Sequence, residues 1–166
     1  MRARSGLPGK PGKPPVGARW QVSIPPDRAE IIAHNDLAPW NLLIGDQWTF
    51  IDWDMAAPGS RLWDLAWASL GFIPLSADRQ LQAPDAAGRL RVFVDAYGLD
   101  DRHERQQLAV MLGPRARSMH QFLADRAAQN TEPWATLCHQ GHGEAWRSHA
   151  DYIDAQAARW QTALLA

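Results

Sequence analysis

The chain has 166 residues and a formal net charge of -1, which suits one domain with a sizeable core and argues against a general nucleic-acid binder. Its one cysteine, Cys138, excludes an internal disulfide and a cysteine-rich zinc module. No apolar run approaches the roughly 20 residues of a membrane span. We therefore expect a cytoplasmic globular protein without a membrane or nucleic-acid partner.

The first part of the chain differs from the rest. Residues 1–19 carry arginine and lysine, no acidic residue, and many glycines and prolines. Such a segment cannot bury enough apolar surface to offset its ordering entropy. We therefore divide the chain into a flexible basic tail with an extended lead-in over residues 1–28 and one folded lobe over residues 29–166.

Residues 31–54 contain the polar groups best suited to chemistry. Ile31–Ala33 form a short apolar run that predicts a buried strand, and H-N-D-L-A-P-W-N at 34–41 predicts a loop that Pro39 keeps irregular. Leu42–Ile44 and Trp48–Ile51 then predict the two strands of a hairpin.

The predicted hairpin register brings two oxygen-bearing side chains together. If the turn centres on residues 46 and 47, Asn41 lies directly opposite Asp52, with Cβ atoms about 5 Å apart. An amide oxygen and a carboxylate are suitable ligands for Mg²⁺, which usually takes only one or two ligands from protein. Asp36, on the preceding loop, is placed to accept a proton from a hydroxyl nucleophile. A base, an amide and a metal-binding acid in this order are what phosphoryl transfer requires.

The same residues resemble a known family. The pattern HxD-x-x-x-x-N at 34–41, followed by I-D-W-D at 51–54 and R-L-W-D-L-A at 61–66, resembles the aminoglycoside phosphotransferase and choline kinase-like family. The resemblance is specific over roughly residues 30–75 and loose over the later helices. One departure is Asn35, which stands where the family usually has glycine.

The resemblance implies a role for each motif residue. Asp36 would be the catalytic base, Asn41 and Asp52 would bind magnesium and nucleotide, and His34 and Asp64 would support the loop. The cofactors implied are Mg²⁺ and ATP (or GTP). The substrate implied is a small molecule with a hydroxyl group, of the aminoglycoside or amino-alcohol kind. The fold implied is α+β, the mostly helical C-terminal lobe of a protein-kinase-like fold.

Apolar periodicity predicts helices over the remainder of the chain. Ser60 is a candidate N-cap for a helix ending near Gly71, and Asp85 for one that stops at Gly98. A third helix begins after residue 100 or 101 and is expected to break or kink at 113–114, where glycine precedes proline. A short helix and one final helix complete the chain.

A lysine shortage sets a limit on this interpretation. Lys10 and Lys13 are the only lysines, whereas kinase folds grip the nucleotide with a glycine-rich loop and a strand lysine. We therefore expect a truncated or incomplete unit without its N-terminal nucleotide-binding lobe, or half of a split kinase whose other lobe is a separate chain. A non-catalytic binding remnant and a metal-dependent hydrolase using Asp36 and Asp52 remain open alternatives.

Overall fold

A computed structural model describes residues 13–20, 22–25 and 27–166. Most of the predicted basic tail, residues 1–12, lies outside the described residues. The described residues form an α+β fold, with six helices and two small antiparallel sheets. None of these helices combines the length and hydrophobicity that crossing a membrane requires.

The strands are short and lie on both sides of the polar loop. In the first sheet, β1 (Ile31–Ala33) pairs with β4 (Ala57–Gly59). In the second sheet, β2 (Leu42–Leu43) pairs with β3 (Thr49–Phe50), and a single 3-10 turn (Pro39–Asn41) leads into β2. The loop that carries Asp36 therefore begins at one sheet and ends at the other.

Six helices form the rest of the lobe. Their bounds are α1 Arg61–Phe72, α2 Ala86–Tyr97, α3 Arg102–Ala128, α4 Trp134–His139, α5 His142–Ala155 and α6 Ala157–Leu165. The Ser60 hydroxyl accepts a hydrogen bond from the Trp63 amide, and the Asp85 carboxylate accepts one from the Gly88 amide. Gly98 ends α2 with φ of 81°, a left-handed conformation that glycine adopts without steric cost. The caps predicted for α1 and α2 are confirmed.

Three local features differ from what the sequence alone indicates. Proline and glycine at positions 58 and 59 are typical of a turn, but they pair with β1 as part of β4. The third helix does not break at Pro114, because α3 continues through this proline; the kink stays a prediction. The predicted single final helix is divided into α5 and α6 at Gln156.

The main core lies between the helices. Leu90 of α2, Leu108 and Leu112 of α3, and Trp160 and Leu164 of α6 are fully buried in one hydrophobic cluster. Burying a leucine side chain stabilises the fold by about 1.5–3 kcal/mol, so this layer dominates folding. The two small sheets depend on it, since two-stranded ribbons are marginal by themselves in water.

Candidate functional site

The loop after β1 begins with an uncommon backbone conformation. Asn35 has φ of 64°, in the left-handed region that glycine adopts freely and asparagine tolerates better than most residues. Its side chain is buried and donates from Nδ2 to the Met55 carbonyl at 3.1 Å. The departure from the family's usual glycine is therefore compatible with the backbone that this position requires.

Asp64, in the first turn of α1, binds the start of the loop. Its Oδ2 accepts from the His34 backbone N–H at 2.9 Å, and its Oδ1 accepts from the Asn35 N–H at 2.8 Å. Burial raises the pKa of the Asp64 carboxyl, while these two N–H groups and the charge of Arg115 act in the opposite direction. The carboxylate therefore fixes the loop to α1 through its backbone.

Arg115 of α3 holds the same loop from the other side. Its side chain is fully buried, with the guanidinium carbon 4.3 Å from the Trp67 ring centroid and 5.2 Å from that of Trp63. One terminal nitrogen donates to the Asn35 carbonyl at 2.7 Å. Burial lowers the pKa of Arg115 to about 10, against the charges of Asp64 and Asp36, which raise it. The residue therefore stays charged at neutral pH.

Asp36 is held by two side-chain donors, one on each carboxylate oxygen. Trp67 Nε1 donates to Oδ1 at 2.9 Å, and Asn41 Nδ2 donates to Oδ2 at 2.7 Å. Asn41 Nδ2 also donates to the Asp36 carbonyl at 3.0 Å. An ionised carboxylate has about four lone-pair sites, so each oxygen can accept one further proton or hydrogen bond. The side chain is partly exposed, so a ligand can approach it.

The His34 ring connects the loop to Ile51, the residue that directly follows β3. Its Nδ1 accepts from the Asp36 backbone N–H at 3.3 Å, which leaves Nε2 as the protonated nitrogen, donating to the Ile51 carbonyl at 3.0 Å. The ring also packs against Trp53, with centroids 4.5 Å apart. These contacts occupy both ring nitrogens.

The predicted pairing of Asn41 with Asp52 was wrong. Leu42 pairs with Phe50, and the Ile51 N–H donates to the Asn41 carbonyl at 2.9 Å, so Ile51 is the residue opposite Asn41. The physical reason is the turn, because the connection between β2 and β3 is centred on Asp46 rather than between residues 46 and 47. A shift of one residue moves each side chain to the other face of a strand.

Asp52 nevertheless lies next to this pair in an unusual conformation. Its φ is 61° and its side chain is exposed, in the sequence segment that directly follows β3. A non-glycine residue in the left-handed region costs about 1–3 kcal/mol, and such residues cluster at functional sites. Asn35, Asp85 and Asn130 share this left-handed conformation, so the backbone alone assigns Asp52 no role.

Asn41 and Asp52 carry the kinds of oxygen atom that Mg²⁺ prefers. Asn41 uses Nδ2 for both of its hydrogen bonds to Asp36, which leaves its amide oxygen for a cation, and Asp52 supplies a solvent-accessible carboxylate. Within the described part of the chain, no three His, Cys, Asp or Glu side chains are grouped so as to hold a metal ion. A site with few protein ligands is the kind that Mg²⁺ shares with phosphate and water.

Two residues of this site were missed by sequence reasoning. Neither Trp67 nor Arg115 is among the site residues that the sequence predicts. A signal for Arg115 exists, because Leu108, Leu112, Arg115 and Phe122 recur at helical spacing on one face of α3. A charged residue on an otherwise apolar stripe indicates a buried partner.

Comparison with known proteins gives one match. A model described as the phosphotransferase enzyme family matches residues 16–108, which is more than half of the chain. The matched region contains β1, the polar loop, the hairpin, α1 and α2, and it ends within the first turns of α3. No curated protein and no solved structure matches the chain.

Proposed function

The chain belongs to the phosphotransferase enzyme family, and on that premise we propose that it takes part in transfer of the γ-phosphoryl group of ATP (or GTP) to a hydroxyl of a small molecule. The observation that carries this proposal is the environment of Asp36. Its carboxylate is oriented by two side-chain donors on a loop that is itself held from α1 and α3. A base must be positioned in this way to act on one particular hydroxyl.

Asp36 would act as the general base. The acceptor hydroxyl donates its proton to the free site on an Asp36 oxygen as its own oxygen bonds to the γ-phosphorus. The bond between that phosphorus and the bridging oxygen breaks, and the electron pair leaves with the nucleoside diphosphate. Trp67 and Asn41 keep the carboxylate aimed throughout, because they bind it without taking the acceptor's place.

Asn41 and Asp52 would hold the metal that accompanies the nucleotide. The Asn41 amide oxygen and the Asp52 carboxylate provide the hard oxygen ligands. Bound Mg²⁺ would supply charge neutralisation at the phosphate oxygens. Asn41 would thereby have two tasks, since its nitrogen binds the base and its oxygen would be available to the metal.

The hairpin surface supports a second part of the proposal, that a separate lobe completes the nucleotide site. Leu43, Ile44 and Trp48 are more than half exposed on and between the two strands. Exposed apolar side chains grouped in this way mark interaction surfaces. A lobe with a glycine-rich loop and a lysine would cover them and supply the phosphate contacts that Asp36, Asn41 and Asp52 do not make.

The test is phosphate transfer from radiolabelled ATP to a panel of aminoglycosides, amino alcohols and uncharged alcohols, with and without such a lobe. We expect little transfer by the chain alone, because each missing electrostatic contact removes a few kcal/mol of transition-state stabilisation. With the lobe present, Asp36→Asn should lower kcat by at least about 100-fold. Asp46→Asn is the matched control, since it makes the same change on the neighbouring hairpin turn.

Three results would contradict the proposal in different ways. Robust turnover by the chain alone would show that no separate lobe is required. Restored transfer that is insensitive to Asp36→Asn would remove the assignment of the base. Hydrolysis of a substrate in the absence of nucleotide would favour the hydrolase alternative, if that hydrolysis depends on metal and on Asp36 and Asp52.

A further inference from the structure

A cavity of about 210 Å³ lies beside the loop that carries Asp36. It is formed by that loop, the end of α1, the segment after α1, and α5. Its lining residues are Trp40, Leu70, Gly71, Pro74, Leu75, Ser76, Leu81, Trp146 and His149. The cavity is therefore largely apolar, with aromatic rings from the loop and from α5.

The cavity borders the loop that carries Asp36, although Asp36 itself is not one of its lining residues. Trp67, which donates to the Asp36 carboxylate, has its ring centroid 4.9 Å from that of Trp146 in the cavity wall. Gly71, also in the wall, lies so close to the loop that a Cβ on it would come within 3.3 Å of the Ala38 Cβ. A molecule in this cavity consequently touches the loop that presents the base.

The lining contains no charged side chain. His149 is its one titratable residue, and its Nδ1 accepts from the Ala77 backbone N–H at 3.3 Å. Burial lowers the pKa of His149, while Asp78 acts in the opposite direction. Asp78 itself is exposed and does not line the cavity. The wall is therefore neutral at pH 7.

We propose that this cavity is the acceptor site and that the acceptor is an uncharged, apolar alcohol rather than a polycationic aminoglycoside. This inference rests on the proposed phosphoryl transfer and narrows its substrate class. The apolar body of the acceptor would lie between Trp40 and Trp146, and the acceptor's hydroxyl would face the loop.

The energetic comparison favours the uncharged ligand. An ammonium group placed against a wall that carries no carboxylate loses hydration and gains no ion pair there. A tryptophan ring returns only part of that loss through a cation–π contact. Each amino group of a polycation adds such a loss, whereas each methylene of an apolar alcohol gains free energy on burial.

The experiment measures binding to the full chain without nucleotide, by ligand-observed saturation-transfer NMR. The probes are trans-4-methylcyclohexanol and trans-4-aminocyclohexanol, which have nearly the same shape and differ by a methyl or an ammonium group; kanamycin is the polycationic probe. We expect the methyl compound to bind at least about tenfold more tightly than the amine. Leu81→Glu, at the exposed edge of the cavity, should lower or reverse the preference for the methyl compound over the amine. Val92→Glu, on the exposed face of α2, should leave this preference unchanged.

Two binding results would overturn the inference. One is an amine or kanamycin that binds as tightly as the methyl compound. The other is a ratio that Leu81→Glu leaves unchanged, because the probes would then bind elsewhere. Neither result depends on catalysis, so each is distinct from failure of the proposed function. Conversely, intact discrimination with no transfer to any alcohol in the lobe-completed assay would refute the proposed function, and with it the acceptor role of the cavity.

Discussion

Replacing Arg115 by methionine tests how much this buried arginine contributes to holding the loop. The substitution removes the positive charge and leaves Asp64 in place. The fall of the Arg115 pKa to about 10 means that burying its charge costs about 3 kcal/mol, at 1.36 kcal/mol per pKa unit. Methionine removes this cost. It also removes the charged hydrogen bond to the Asn35 carbonyl, worth about 1.5–3 kcal/mol, and the stacking on Trp67, worth up to about 2 kcal/mol.

These terms nearly cancel, so the net effect comes from what is left behind. The attraction of Asp64 is already part of the Arg115 pKa, so the remaining loss is the buried Asn35 carbonyl without its donor. A buried acceptor left unsatisfied costs about 1–3 kcal/mol, and we expect about 2 kcal/mol here. For a chain of this size, this lowers Tm by roughly 4–8 °C.

The assay is urea unfolding of the single variants Arg115→Met and Asp64→Asn and of the double variant. Because the two side chains act on one loop, the double variant should lose less than the sum of the singles, by about 1–3 kcal/mol. Arg117→Met is the control, since this arginine lies on the same helix but forms an exposed ion pair with Asp154. Strict additivity, or an Arg117→Met effect as large as that of Arg115→Met, would refute the reasoning.

Three other predictions concern single residues. Trp67→Phe keeps an aromatic ring but removes the N–H that binds Asp36, so it should lower kcat about tenfold in the assay with the added lobe. An unchanged kcat would mean that this hydrogen bond does not position the base. Asp52→Gly should raise the free energy of unfolding by about 1 kcal/mol, because glycine adopts positive φ without strain, while weakening Mg²⁺-dependent ATP binding; a loss of stability in urea would contradict this. Because the pKa of His149 is lowered in the folded state, the unfolded chain takes up this proton first, and stability is lost as pH falls below about 6.5. His149→Gln should give a flatter profile of unfolding free energy between pH 7 and pH 5, and a profile with the wild-type slope would exclude this role.

Local signals in the sequence were sufficient for the elements that cap themselves. Ser60 and Asp85 bind amides within their own helices, and Gly98 ends α2 through its own backbone freedom. Such features depend on neighbours in sequence, so one segment carries all the information needed. The order of strand, loop and hairpin was predictable for the same reason.

The sequence was less informative where distant segments meet. The strand at Ala57–Gly59 exists because it pairs with β1, and residues 58 and 59 alone are typical of a turn. The register of the hairpin depends on one residue of turn length, which composition does not determine. The bond from Arg115 to Asn35 spans 80 positions of the chain, so only the fold brings these residues together.

The attachment of the loop to both α1 and α3 has a consequence for the local opening of the protein. The His34 and Asn35 amide protons are donated to a buried carboxylate, and the Asn35 carbonyl is held by an arginine inside the main helical layer. Surface loops usually open by themselves and exchange their amide protons with little free-energy cost. We expect those two amides to become accessible only when α1, which carries Asp64, moves away from the loop. Their deuterium uptake should thus follow that of the helical core, while the amides at the hairpin tip exchange freely.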